Sequence, residues 1–427
     1  MMTSVARLKS HFKGFAAFAL VLAGGTAHTV QAAPQLFEPE NYAAWIDIRA
    51  VSVDGERGWR DGGFGKLRYG KGSGALNVAQ AGLLWKPRLA DTLTAYIMIQ
   101  DVPGAENQLG IEEAYLKWKP VPKSDLRYSV RLGEFFPPIS MEHDGTGWTP
   151  DRTLTPSAIN SWVGEEVLVR GLEGNIQKDF GAQNLGLTLG VFTRDDTAGT
   201  LLSWRGWALH DASSADNAEL PLPTGNQGYT QLFGSYQAYA SKPMVEEDGR
   251  LGYYARLDWR PPAPVAINLE FYDNQGDPMT VRNGQWGWAT RFYNLGARYQ
   301  VAVRDEVLGQ YMTGHTATGW QVGQGHHAVD VGFESGYVLW SHHFDSGAKL
   351  SGRIDYFAAK DNSLRSIDNN SETGYAATLA WIRPLTAHLD LGLETLRVQS
   401  NRPSRATQGL AAQQSQTQLQ IALKVHL

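Results

Sequence analysis

The last nine residues, LQIALKVHL, alternate without a break. Leu419, Ile421, Leu423, Val425 and Leu427 share one face of an extended chain, and Gln420, Ala422, Lys424 and His426 share the other. Successive side chains of a strand point to opposite faces, so this is a strand with one apolar and one polar side. The period recurs upstream. Leu389, Leu391 and Leu393 oppose Asp390, Gly392 and Glu394, and Leu350, Ile354 and Tyr356 oppose Lys349, Arg353 and Asp355. An apolar strand face left in water invites aggregation, and charged groups turned into a dry core are costly. A closed barrel with lipid outside and water inside satisfies both faces.

The first residues are set apart from this pattern. Arg7, Lys9 and Lys13 precede the apolar run Phe15–Ala23, and Val30-Gln31-Ala32 follows. That order predicts a secretory signal peptide over residues 1–32, leaving 33–427 as the barrel. The net charge then moves from −5 to about −8, which argues against a nucleic-acid partner. Beyond residue 32 no apolar stretch reaches the ~18 residues of a membrane-spanning helix. The 14 Trp, 17 Tyr, 15 Phe and 46 Gly suit strands and turns instead. With no cysteine, thiol catalysis and cysteine metal sites are excluded.

Strands are predicted near 41–53, 75–85, 91–101, 110–118, 125–134, 165–178, 184–194, 249–260, 264–274, 288–301, 305–314, 327–341, 348–359, 373–383, 388–399 and 417–427. Short connections alternate with long ones such as 54–74, 135–164 and 195–248, as in all-β, antiparallel transmembrane barrels with short turns at one rim. A repeated phrase marks those turns: Trp85, Trp118, Trp259 and Trp381 are each followed by a basic residue and a proline, and Trp340 precedes a turn without one. Tryptophan suits the membrane interface, so these five are expected to form an aromatic girdle. Proline is expected to end the ladder and preset the turn.

The third long connection, FFPPISMEHDGTGWTPDRTLTPSAINSW (135–162), carries Pro137, Pro138, Pro150 and Pro156 and is a poor strand. It is suited to fold inward and narrow the pore. Leu132-Gly133-Glu134-Phe135-Phe136-Pro137-Pro138, with Ser140-Met141-Glu142, resembles the strand-to-loop signature of the phosphate-selective porin O and P family. Arg170-Gly171-Leu172-Glu173-Gly174 is similar to that family's returning strand. The resemblance implies a sixteen-stranded, usually trimeric channel in the outer membrane of a Gram-negative bacterium, in contact with its lipid and inserted by the barrel-assembly machinery. The chain ends in Leu427 where such proteins usually end in an aromatic residue, with the preceding alternation intact.

Anion-selective members line the pore with basic residues. Here the expected inward set is mixed, with Arg49, Lys117, Arg127, Arg131, Arg256, Arg260, Arg298, Lys349, Arg353 and Lys424 against Asp47, Glu113, Asp258, Glu270, Asp330, Glu334, Asp355, Asp390 and Glu394. Selectivity needs clusters of one sign, so passive diffusion of small hydrophilic solutes or ions is expected, with a phosphate-selective channel as the alternative. The constriction is expected at Glu142, Asp144, Asp151 and Arg152, facing a basic wall of Arg49, Arg127 and Arg131.

No catalytic residue, cofactor or metal is expected. His326-His327 and His342-His343 point to opposite faces of a strand and lack a completing cluster. An outer-membrane lipase would need His210 and Ser213 paired, with Gly228-Tyr229-Thr230-Gln231 as its other faint signal, and no Gly-x-Ser-x-Gly elbow is present. A scaffold barrel would use the loop 195–248 with Trp204 and Trp207 for adhesion; the default reading of that loop is a solvated cap.

Overall fold

The computed structural model describes residues 36–102, 105–223, 236–323, 325–363 and 369–427. The signal peptide expected over 1–32 and the stretch 228–231 lie outside the described residues. Sixteen strands build the wall: β1 (Tyr42–Asp54), β2 (Leu76–Trp85), β3 (Leu93–Asp101), β4 (Leu109–Trp118), β5 (Leu126–Phe135), β6 (Val169–Phe180), β7 (Gln183–Thr193) and β8 (Gly252–Arg260) form the first half. The second half is β9 (Val265–Asp273), β10 (Ala289–Ala302), β11 (Asp305–Gly323), β12 (His326–His343), β13 (Lys349–Asp361), β14 (Glu372–Thr386), β15 (Leu389–Asn401) and β16 (Gln413–His426). Each pairs antiparallel with its sequence neighbours, and β1 pairs with β16 from Trp45↔His426 to Asp54↔Thr417. The sheet is therefore closed, and closure removes the edges that would otherwise recruit other chains.

The period-two pattern translates directly into two faces. On β16, Leu419, Ile421, Leu423 and Val425 are exposed while Gln418, Gln420 and Ala422 are buried. On β7, Leu185, Leu187, Leu189 and Val191 form the same outward apolar row. Two expected inward residues lie elsewhere: Asp330 and Glu334 occupy the row of β12 that alternates with inward Phe333, Tyr337 and Leu339. The outward Glu334 carboxylate accepts hydrogen bonds from the Tyr311 hydroxyl (2.6 Å) and the Tyr356 hydroxyl (3.0 Å), which replace water there.

All five tryptophans expected to form the girdle stand near the short-turn ends of even-numbered strands. Trp85 Nε1 donates to Leu36 O (2.9 Å), Trp259 Nε1 to Gln183 (3.2 Å) and Trp340 Nε1 to Asp305 (3.1 Å). Trp118 leans on Tyr128, and Trp381 pairs with Leu350 and Leu393. Pro384 departs from expectation. It stays in register opposite Asp390, and the ladder shifts only beyond it, so this proline sits at a bulge inside β14 and does not end the strand.

The seam between strand and loop also moved at 165. Residues predicted to open a strand there belong to helix α1 (Ala158–Glu166), and β6 begins at Val169. Ser157 caps α1, its hydroxyl accepting from Asn160 N. A five-residue helix, α2 (Thr200–Trp204), follows in the longest connection. The tryptophans of that connection are not a solvated cap. Trp204 and Trp207 are 1% and 0% exposed. Trp207 and Leu209 join Trp162 of α1 and Leu67 of the first connection in one buried cluster with Phe292, Phe333, Leu396 and Val398 of the wall. Three of the long connections thus contribute to an apolar core packed against inward-facing strand residues.

Candidate functional site

The third connection leaves β5 through Pro137 and Pro138, which lack the N–H a ladder needs. Ser140 then closes a tight turn, its hydroxyl accepting from Glu142 N (3.1 Å) and His143 N (3.3 Å). This turn aims Glu142 at Arg353 of β13, with Oε1 to Nη1 at 2.9 Å. Glu142 Oε2 accepts from Ser157 N (2.9 Å) and Asn160 Nδ2 (2.5 Å), so the carboxylate also holds the start of α1. Burial by itself would raise the Glu142 carboxyl, but Arg353 and these hydrogen bonds outweigh it and hold it below the ordinary range.

The other acidic groups are paired in the same way. Asp144 bonds Arg152 (2.9 Å) and Arg298 (2.7 Å), Arg152 bonds Glu306 (2.6 Å), and Asp151 bonds Lys349 (2.5 Å). The wall cations that meet these carboxylates are therefore Arg298, Lys349 and Arg353, on β10 and β13. Arg127 is at the opposite end of β5 from this segment, bonded to Asp179 (2.7 Å), and Arg131 bonds Glu173 (2.7 Å) and Phe136 O (3.1 Å). The predicted acidic residues are brought to a basic wall, but it is not the wall of Arg49, Arg127 and Arg131. Backbone N–H groups of Leu154 (2.6 Å) and Thr155 (3.1 Å) donate to Glu394 of β15, tying the segment to a further strand.

Arg49 takes part in a different cluster, which sequence reasoning missed. It bonds Asp47 (2.6 Å) and Asp211 (2.7 Å), and Asp211 also bonds Arg68 (2.9 Å). Burial would raise the Asp211 carboxyl, yet Arg49 and Arg68 together hold it far below the usual range. Next to it, Gln100 Nε2 donates to Ser214 O (3.1 Å) and Gln80 Nε2 donates to Gln100 (2.9 Å). The available signal was the charge of Asp211 beside a histidine in an aromatic-bearing loop.

The residues weighed for enzyme or metal chemistry have the following partners among the described residues. His210 Nε2 faces Glu165 (3.0 Å) and its Nδ1 accepts from Ala212 N (3.2 Å), whereas the Ser213 hydroxyl donates to Glu112 (2.6 Å). His210 and Ser213 thus serve different partners. His326 pairs with Asp330 (3.0 Å), His327 with Gly319 O (2.7 Å), His342 with Asp305 (2.9 Å) and His343 with Glu306 (3.1 Å).

No protein-family model and no curated protein matches the sequence. Solved structures do match the fold. The outer membrane channel DcaP of Acinetobacter baumannii aligns at 11% identity over 95% of this chain and 100% of that one, with a TM-score of 0.53. An anion-selective porin from Comamonas acidovorans aligns at 12% identity over 90% and 98%, with a TM-score of 0.51. A loop-deletion form of OmpT, an outer membrane protein of Vibrio cholerae, aligns at 5% identity over 92% and 100%, also with a TM-score of 0.51. At these identities the likeness is one of architecture.

Proposed function

We propose that the chain is an outer-membrane porin that lets small hydrophilic solutes or ions diffuse passively through the barrel. The observation that carries this reading is the inverted barrel: strands such as β7 and β16 offer lipid an apolar row, while charged and amide side chains line much of the inside. The named channel and porin among the structural matches support it. The barrel sits in the outer membrane of a Gram-negative bacterium, its tryptophan girdle at one interface. Delivery by a signal peptide over 1–32, insertion by the barrel-assembly machinery and association into a trimer belong to the same proposal. The third connection folds into the lumen and narrows it, with Glu142, Asp144, Asp151 and Arg152 at the narrowing.

Phosphate selectivity, which the resemblance over 132–142 implies, calls for basic groups free to meet an anion. Arg152, Arg298, Lys349 and Arg353 each hold a carboxylate, which favours weak selectivity. No step of catalysis enters this reading, and the driving force is the solute gradient.

The test is single-channel current in a planar bilayer, with the reversal potential across a salt gradient and phosphate titrated in. Steady current with a small reversal potential and no phosphate block is expected. Block at low phosphate would replace this reading with the anion-specific one, and folded protein without current would refute the channel.

A further inference from the structure

The filling of the barrel is one-sided. Towards β10, β12 and β15 the connections meet the wall through the packed side chains of Trp162, Trp207, Phe292, Phe333 and Leu396, with the buried Glu142–Arg353 pair (2.9 Å) beside them. Towards β1–β4, residues 210–214 meet the wall through polar groups: Asp211 to Arg49, Ser213 to Glu112, and the Ser214 carbonyl to Gln100. A cavity lies on each side of this contact. The outer one, of about 370 Å³, is lined by Trp59, Gln100, Glu165 and Ser213 together with loop residues of the long-connection rim. The inner one, of about 90 Å³, is lined by Asp47, Arg49, Gln80, Asp211 and Lys424 and lies towards the short-turn rim. Ala212 and Ser213 line the outer cavity and Asp211 the inner one, and the hydrogen-bonded Gln80–Gln100 pair (2.9 Å) likewise has one member in each.

Water and hydrated solutes cross where polar groups can replace hydration, and dewetted apolar contacts exclude them. Resting on the porin reading, we propose that the permeation path follows this polar seam along β1–β4 and that Asp211 determines its charge preference. Asp211 and Asp47 balance Arg49 and Arg68 at the seam. On either side carboxylates outnumber cations: Glu106, Glu165 and Glu219 stand against Arg60 and Lys242 in the outer cavity. In the inner one Asp47, Asp151, Asp211 and Asp390 stand against Arg49 and Lys424. The permeant class is small cations and neutral polar solutes. The stretch 210–214 of the longest connection is thus a filter element, and Asp211 is its specificity-determining residue.

The absence of native cysteine makes the seam directly addressable. In planar bilayers, wild-type protein is compared with Asp211→Asn and with Asp211→Cys modified after folding by a cationic methanethiosulfonate. Ser415→Cys, on the outer face, is the control for the reagent. Wild type is expected to prefer potassium over chloride, Asp211→Asn to reverse that preference because two guanidinium groups lose their shared counter-ion, and the modified Asp211→Cys channel to lose most of its current. Wild-type current whose reversal potential is unchanged in Asp211→Asn, and which survives modification at Asp211→Cys, would overturn the seam and leave the porin reading standing. Current from none of the folded variants would overturn both.

Discussion

The two walls of the lumen differ in kind. Opposite β10–β15 the connections are fixed by packed aromatic rings as well as ion pairs: Trp162 lies edge-on to Trp207 (6.1 Å) and to Phe292 (5.6 Å), and Arg353 and Arg298 hold Glu142 and Asp144. Opposite β1–β4 they are fixed by ion pairs and amide hydrogen bonds, with Asp211 between two arginines. The aromatic packing gains from excluding water. The polar contact exchanges partners with water at little net cost, because each protein hydrogen bond replaces a solvent one. An anchor and a passage are thereby built from the same connections, and the difference lies in which side chains each face presents.

Removing the anchor should have the largest effect. Trp162→Ala deletes a ring that is 1% exposed, a change that costs about 3–5 kcal/mol in a packed core. The sixteen-stranded wall should still resist SDS in the cold, while protease cleavage within 136–168 and single-channel conductance both rise. Conductance and cleavage equal to wild type would mean that the apolar contact does not hold the filling in place.

Arg353→Met comes next. Arg353 is fully buried and bonds Glu142 (2.9 Å) and Asp355 (2.8 Å), so its loss strands two buried carboxylates, at a cost of about 3–5 kcal/mol. The same loosening of 136–168 is expected. Adding Glu142→Gln should restore part of it, and a double variant no better than Arg353→Met would assign the effect to shape alone.

Acid should act on the third connection in a defined window. Burial lowers His143 from 6.5 to about 4, with Glu142 and Asp144 opposing that shift, and its ring stacks on Trp148 at 3.6 Å. The unfolded chain binds a proton at higher pH than the folded one, so the contribution of His143 is full above about 6.5 and is lost as pH falls through about 4. Glu142, held low by Arg353, shifts the same way. Hydrogen exchange of 140–150 should accelerate between those values, and His143→Gln should flatten the profile. Exchange that is independent of pH-corrected opening in this window would contradict the burial of the ring.

The smallest effect belongs to Arg127→Ala. Arg127 and Asp179 are 41% and 38% exposed, and such pairs contribute about 0–1 kcal/mol. Conductance and stability should match wild type. A large change in reversal potential would move the narrowing towards β5 and away from the seam.

The wall was legible because its signal is local. Alternation such as Leu419 to Leu427 needs only neighbouring residues to set a face, and the tryptophans before basic residues mark the rim they occupy. The third connection was legible as a non-strand through its prolines, but the partners of Glu142, Asp144, Asp151 and Arg152 lie on strands distant in sequence and were not. Helix α1 escaped notice although Ser157 after Pro156 is a recognisable cap, because proline and serine also read as loop. Asp330 and Glu334 were placed inside on charge alone, whereas tyrosine and histidine partners satisfy them on the outer row.

Period-two alternation and turn chemistry act within a few residues, so the sixteen-stranded wall with its lipid-facing exterior follows from local sequence. Which connections meet the inner wall, and which cations meet which carboxylates, depends on contacts that form only in the folded barrel. Glu142 finds Arg353 211 positions away, and the pairing Arg49–Asp211 likewise joins distant residues. Such pairings depend on barrel closure bringing opposite walls within reach. Trp204 and Trp207 read as surface residues in a polar loop until that enclosed space existed to bury them.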